Sequence, residues 1–166
     1  MSGVAADSEL VDVAFELNGE PVRLAVAPDE LLIESLRERL GLTGTKLGCG
    51  VGACGICSVL VDGELFSGCL LPAALVDGRS VVTVERLAGR APQLTAALRA
   101  AFEAEGGYQC GICTPGQLVA AVALLERSAQ PSENDVRAYL AGNLCRCTGY
   151  AGIVRAVRRA GAEASA

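Results

Sequence analysis

A chain of 166 residues is enough for one ordinary domain or two small ones. Its net charge of −5, with three Tyr, three Phe and no Trp, argues against nucleic acid or an anionic membrane surface as partner. It has no histidine, so the commonest general acid–base is missing, and no nucleophile elbow or phosphate-binding P-loop takes its place.

Residues 1–9 read as a loose tail. The start, MSGVAADSEL, has neither a basic n-region nor an apolar h-region. The best apolar run, 118–125, is far short of a membrane span. The expectation is a cytoplasmic chain with no membrane contact.

From Val11 the apolar residues alternate, with Val11, Val13, Phe15 and Leu17 facing one way. Asn18-Gly19 is a strong hairpin signal, and Val22, Leu24 and Val26 continue the alternation. Asp29 is placed to cap a helix over 29–40, with Leu32, Leu36 and Leu40 on one stripe and Gly41 as its stop. A glycine-rich loop is expected over 44–57. A strand at 58–61 then turns at Asp62-Gly63 and returns through Leu65 and Phe66, and 81–84 reads as one more strand. Hairpin, helix, loop and strands together predict a small α+β domain.

After Leu87 the character changes. Residues 89–92 read as a linker, and helices are expected over 93–105, 115–127, 133–141 and 150–160. Thr114-Pro115-Gly116-Gln117 offers a capping box with Pro at the first helical position. Ser132 with Asp135 gives a weaker start signal, and Thr148 is placed to cap the last helix. The expected organisation is therefore a tail over 1–9, a first domain over 10–87, an all-α domain of four short helices over 88–160, and a tail over 161–166. Arg155, Arg158 and Arg159 read as a solvated helix face, with a docking surface for an acidic partner as the alternative.

The eight cysteines fall into two groups of four. Cys49, Cys54, Cys57 and Cys69 form C-x4-C-x2-C…C, the plant-type spacing for a [2Fe–2S] cluster. The surrounding glycines let the backbone approach a bulky cluster and turn N–H groups towards its sulfurs. Zinc sites usually pair CxxC with CxxC, so the uneven spacing favours iron–sulfur. Residues 50–55 also satisfy G-x-G-x-x-G, but that fingerprint should follow a strand and open a helix, and here the order is reversed. Cys110 and Cys113 form a CxxC, and Cys145 and Cys147 a CxC. A thioredoxin-like reading of the CxxC leaves the CxC unexplained. A disulfide framework needs an oxidising compartment. A second cluster uses all four thiols, with Cys113 and Cys147 just before two helix starts whose positive ends would favour an anionic group. The chain thus reads as a conductor of electrons.

Four blocks carry a family resemblance: Gly44-Thr45-Lys46-Leu47-Gly48-Cys49-Gly50; Gly52-Ala53-Cys54-Gly55-Ile56-Cys57; Gln109-Cys110-Gly111-Ile112-Cys113-Thr114-Pro115-Gly116; and Asn143-Leu144-Cys145-Arg146-Cys147-Thr148-Gly149-Tyr150. Together they resemble the small iron–sulfur subunit of the molybdenum hydroxylases, the xanthine dehydrogenase, aldehyde oxidoreductase and carbon monoxide dehydrogenase family. The likeness covers about residues 10–160, with no departure at any cluster ligand. It implies an α+β chain, an N-terminal β-grasp plant-type ferredoxin domain followed by an all-α four-helix domain, each with one [2Fe–2S] cluster. The partners it implies are a large subunit with the molybdenum–pterin cofactor and a medium subunit with FAD, in a dimer of heterotrimers. The helical domain's cluster would lie nearer the pterin, with Gln109 and Cys147 approaching it, and the ferredoxin domain's cluster nearer the flavin. Electrons would pass singly from molybdenum to FAD. A free two-cluster carrier and a zinc-stabilised interaction module are the rival readings.

Overall fold

The computed structural model describes residues 10–164. The tail expected over 1–9 lies outside them. The chain opens with the strands β1 (Val11–Leu17) and β2 (Glu20–Val26), paired antiparallel with Val13 opposite Leu24. Asn18 (φ 57°) and Gly19 (φ 88°) make the two-residue turn, both in the left-handed region that a type I′ hairpin requires. Val13, Phe15 and Leu17 are buried as the alternation predicts, whereas Val11, at the start of the strand, is exposed.

The helix expected over 29–40 is shorter and differently wound. Helix α1 (Leu32–Glu34) runs directly into a π-helical turn, Ser35–Arg39. Asp29 does not cap it. Leu31 holds that position in extended backbone and is itself a β-bridge partner of Pro72, and its N–H donates to the Glu34 carboxylate. The π turn closes with the Leu40 N–H on the Ser35 carbonyl, and Gly41 (φ 69°) ends it as expected.

Strands β3 (Ser58–Val61) and β4 (Glu64–Ser67) form the second hairpin around Asp62 (φ 51°) and Gly63 (φ 85°). Strand β5 (Ser80–Val82) pairs parallel with β1 and antiparallel with β3, giving a mixed sheet of order β2-β1-β5-β3-β4. The side chain of Asn18 binds the backbone and hydroxyl of Thr83, so the first turn is also tied to the end of β5.

No linker separates the halves. Residues Leu87–Arg90 form a single turn, α2, and α3 (Pro92–Ala104) follows after Ala91. Leu87 is buried, and this apolar anchor overrides the glycine–proline punctuation that suggested a linker. Helices α4 (Thr114–Arg127), α5 (Glu133–Tyr139) and α6 (Tyr150–Ala164) complete the chain. Ser132 and Asp135 form the reciprocal capping box at α5. Helix α6 runs past Ala160, through residues expected to be tail.

One apolar cluster, under β1, β3 and α1, contains Val13, Phe15, Val59 and Val61. The other is centred on α4 and reaches Leu60 of β3. All four residues of β3 are therefore buried, because α1 lies on one side and α4 on the other. The sheet's second face is the seat of the helical half. Among the described residues, no helix is long and apolar enough to cross a membrane.

Candidate metal centres

The first group of cysteines sits in the loop between α1 and β3, closed by Cys69 just after β4. Its thiols are arranged as two pairs. Cys49 and Cys54 hydrogen-bond to one another, and Cys57 and Cys69 do likewise. The second pair is the inner one, with both residues 2% exposed, whereas Cys49 is open to solvent. The Val51 N–H donates to Cys49 Sγ at 3.4 Å. That bond, then the Cys54 thiol, with the N–H groups of Ala53 and Cys54 adding to them, lowers the Cys49 thiol to about 6. Burial pushes Cys57 up to about 11. The loop is held by glycines at special positions. Gly52 (φ 72°) lies against Leu70, where a Cβ would come within 2.3 Å of Cδ1, and Gly55 (φ 63°) would place one 2.5 Å from the Gly142 carbonyl. Residues 50–55 lead into β3 and open no helix, so the dinucleotide reading has no support in the fold.

The second group comes from two turns far apart in sequence. Cys110 and Cys113 precede α4, and Cys145 and Cys147 precede α6. Again the thiols pair. Cys147 Sγ lies 3.4 Å from Cys110 Sγ, and Cys113 hydrogen-bonds Cys145. The inner pair, Cys113 and Cys145, is buried, and Cys110 is exposed. The Ile112 N–H, then the Cys147 thiol, holds Cys110 below the ordinary thiol range, while burial pushes Cys113 up to about 12. Cys113 occupies the N-cap of α4, but desolvation outweighs the helix end there.

Three sequence expectations change at this site. Thr114 is the first helical residue of α4 and caps nothing: Cys113 before it has helical backbone (φ −81°, ψ −17°), and the buried Thr114 Oγ1 has no hydrogen-bond partner. Gln117 reaches across to the Asn143 carbonyl and does not close a capping box. Thr148 lies in the left-handed region (φ 61°), and the first helical carbonyl of α6 comes from Gly149. Gly149 also donates its N–H to Cys145 Sγ at 3.4 Å, so this helix start faces Cys145. Gln109 is exposed and gives its amide N–H to the Cys147 carbonyl at 3.1 Å.

All eight cysteines are free thiols. Among the described residues, no three sulfur or carboxylate donors are placed to hold a single metal ion. Two thiol pairs per site suit a different guest. A [2Fe–2S] cluster would be held by four thiolates that need not converge on one ion. The N–H groups aimed at sulfur supply the hydrogen bonds that such an anionic centre requires. The donor set fits two such clusters. Two residues escaped sequence reasoning: Asn143, buried between the groups, and Tyr150, whose hydroxyl accepts the Cys145 N–H at 2.9 Å. Both stand in the Asn143-to-Tyr150 block, which was the one signal for them.

Residues 15–88 match the 2Fe-2S iron-sulfur cluster binding domain family, and residues 83–158 the [2Fe-2S] binding domain family. The chain is 45% identical over 150 residues to the nicotine 6-hydroxylase small subunit of Paenarthrobacter nicotinovorans, covering 90% of this chain and 89% of that one. It is 43% identical over 155 residues to the xanthine dehydrogenase iron-sulfur-binding subunit of Escherichia coli, covering 90% and 94%. Its fold matches a chain of the crystal structure of quinoline 2-oxidoreductase from Pseudomonas putida 86, with a TM-score of 0.85 at 38% identity, over 95% of this chain and 98% of that one. With two [2Fe–2S]-binding domains and relatives of this identity along nearly its whole length, the chain belongs to the small iron–sulfur subunits of the molybdenum hydroxylases, the xanthine dehydrogenase family, as the electron-transfer part of an oxidoreductase.

Proposed function

We propose that this chain relays electrons one at a time from the molybdenum–pterin centre of a large subunit, through two [2Fe–2S] clusters, to FAD on a medium subunit. When bound, each cluster supplies a one-electron site. Cys49, Cys54, Cys57 and Cys69 hold the first, and Cys110, Cys113, Cys145 and Cys147 the second. Each outer pair carries an exposed cysteine, Cys49 or Cys110, which gives each centre a side open to a partner. The inner pairs anchor the centres: Cys113 and Cys145 lie in the cluster centred on α4, and Cys57 and Cys69 pack with Ile33 of α1 in a small cluster of their own. Gln109 and Cys147, already joined to one another, form the edge that meets the pterin.

The remaining parts of the reading follow the same family. We read residues 10–87 as a β-grasp domain, a reading that the mixed sheet order supports, and residues 88–160 as a four-helix domain, a reading supported by α3, α4, α5 and most of α6. The assembly is a dimer of heterotrimers in the cytoplasm.

The observation that carries the proposal is the pairing of thiols in both groups, an inner buried pair and an outer one in each. Anaerobic isolation of the native complex tests it. The expected result is about four irons and four acid-labile sulfides per copy of this chain, with two distinct EPR signals on reduction. Molybdenum and FAD should be found on companion chains. A complex whose copy of this chain carries neither iron nor labile sulfide overturns the proposal.

A further inference from the structure

The two cysteine loops are joined by a backbone hydrogen bond. The Leu144 N–H donates to the Cys54 carbonyl at 2.9 Å. Cys54 belongs to the first group, and Leu144 directly precedes Cys145 of the second. A route from one sulfur to the other therefore runs through the Cys54 side chain and carbonyl, this hydrogen bond, and the backbone of Leu144 into Cys145. Every step but one is covalent.

The contact is clamped from beside. Asn143 is 4% exposed, and its Nδ2 donates to the Gly55 carbonyl at 3.0 Å. The same amide lies 3.4 Å from Ser58 Oγ and 3.5 Å from the Gly116 carbonyl. Gln117 Nε2 donates to the Asn143 carbonyl at 3.4 Å. Glycine at two facing positions makes the approach possible: a Cβ on Gly116 would lie 2.3 Å from the Gly55 oxygen, and one on Gly55 would meet Asn143 Nδ2 at 2.5 Å. A buried polar side chain that joins three separate chain segments holds a geometry that apolar packing alone would leave loose.

We propose that Asn143 is a positioning residue for electron exchange between the two centres, and that the Leu144–Cys54 hydrogen bond which it locks in place is their electronic joint. The inference rests on the electron-transfer reading above. One electron leaves the second centre and arrives at the first, and no bond or proton changes place.

The test uses the native complex reduced with dithionite. In the wild type, both EPR signals are expected, each split at low temperature by its paramagnetic neighbour. In Asn143→Leu, which keeps the side-chain bulk and removes the donor, iron content and the position of each signal should stay the same. The through-bond exchange part of the splitting should shrink while the dipolar part, which distance alone sets, stays, and after partial reduction the electron should redistribute between the signals more slowly. A merely structural role would not separate these readouts. Unchanged splitting and unchanged redistribution with both centres loaded overturn the joint alone. Absence of both signals from the wild-type complex overturns the electron-transfer reading, and the joint with it. If Asn143→Leu does not assemble, amide hydrogen exchange in the wild-type complex decides. Protection at Leu144 as strong as that in β3 upholds the joint, and free exchange there overturns it.

Discussion

The two cysteine groups reach the same arrangement by opposite means. The first is built almost wholly from one continuous loop, with only Cys69 returning from the β4 side. The second joins two turns at the starts of α4 and α6, more than thirty residues apart in sequence. Both end with a buried inner pair and an outer pair that carries an exposed thiol. The glycine loop brings its own N–H groups to sulfur, while the helical site takes one from its own turn, at Ile112, and one from the start of α6. A loop that wraps its guest is set by local backbone freedom, whereas a site between helices is set by how those helices pack. The first should therefore fail through its glycines, and the second through its core.

The strongest way to break the comparison is to remove one inner thiol at a time. Cys57→Ala should abolish the first centre and spare the second, and Cys113→Ala should do the reverse. In each case iron per chain should fall from about four to about two, with one EPR signal lost. Loss of both signals from either variant, with the chain still folded, would show that the sites do not load independently.

That independence was partly legible in the sequence. The spacing of Cys49, Cys54 and Cys57 is local, so it speaks without the fold. The hairpins at Asn18-Gly19 and Asp62-Gly63 were legible for the same reason, since both turns need left-handed backbone that few other residue pairs tolerate. The joining of CxxC to CxC was legible only as a shortage of other partners, because their meeting depends on how α4 and α6 pack. The failures share that cause. Thr114 looks like a cap until Cys113 proves helical. Residues 89–92 look like a linker until Leu87 is seen in the core. The role of Asn143 has no signal beyond its place in the Asn143-to-Tyr150 block, since its partners Gly55 and Gly116 lie 88 and 27 positions away.

The chemistry of the thiols sharpens the contrast between outer and inner pairs. After chelation of iron under anaerobic, reducing conditions, iodoacetamide should label Cys49 and Cys110 first. The Cys49 thiol, lowered to about 6, is mostly thiolate at pH 7, and the thiolate is the nucleophile. Its labelling should slow as the pH falls through 6, where it takes up its proton. Cys57, raised to about 11, and Cys113, raised to about 12, should stay unlabelled until the pH approaches those values or the chain opens. Peptide mass mapping across pH 5–9 reads the order, and equal labelling of the four at pH 7 would contradict the inner–outer division.

Glycine substitutions separate backbone freedom from close approach within the first loop. At Gly50 (φ 69°) a Cβ meets nothing within 4 Å, so Gly50→Ala adds only the left-handed backbone penalty of about 1 kcal/mol. At Gly55 the same change adds a collision with the Gly142 carbonyl, and the loss should be about 2–4 kcal/mol. Thermal bleaching of the visible cluster absorption should rank Gly55→Ala well below Gly50→Ala. Gly55→Ala should also disturb the second centre, because Gly142 and Asn143 lead directly into its Cys145.

The smallest effect should come from the charges that span the two halves at the surface. Arg127 of α4 pairs with Glu64 of β4, and both side chains are about half exposed or more. Water screens such a pair, and ordering two long side chains offsets most of its attraction, so Glu64→Ala should leave the unfolding midpoint unchanged within error. The bidentate pair Arg90–Glu126 is better placed, with side chains about one-third exposed, and a double-mutant cycle there should return about 0.5–1 kcal/mol. A larger coupling at Glu64–Arg127 than at Arg90–Glu126 would mean that surface charge registers the helical half on the sheet. The geometry favours the buried contacts in that role: Leu60 enters the α4 cluster, and the Asn143 amide reaches Gly55, both shielded from the solvent that weakens the ion pairs outside.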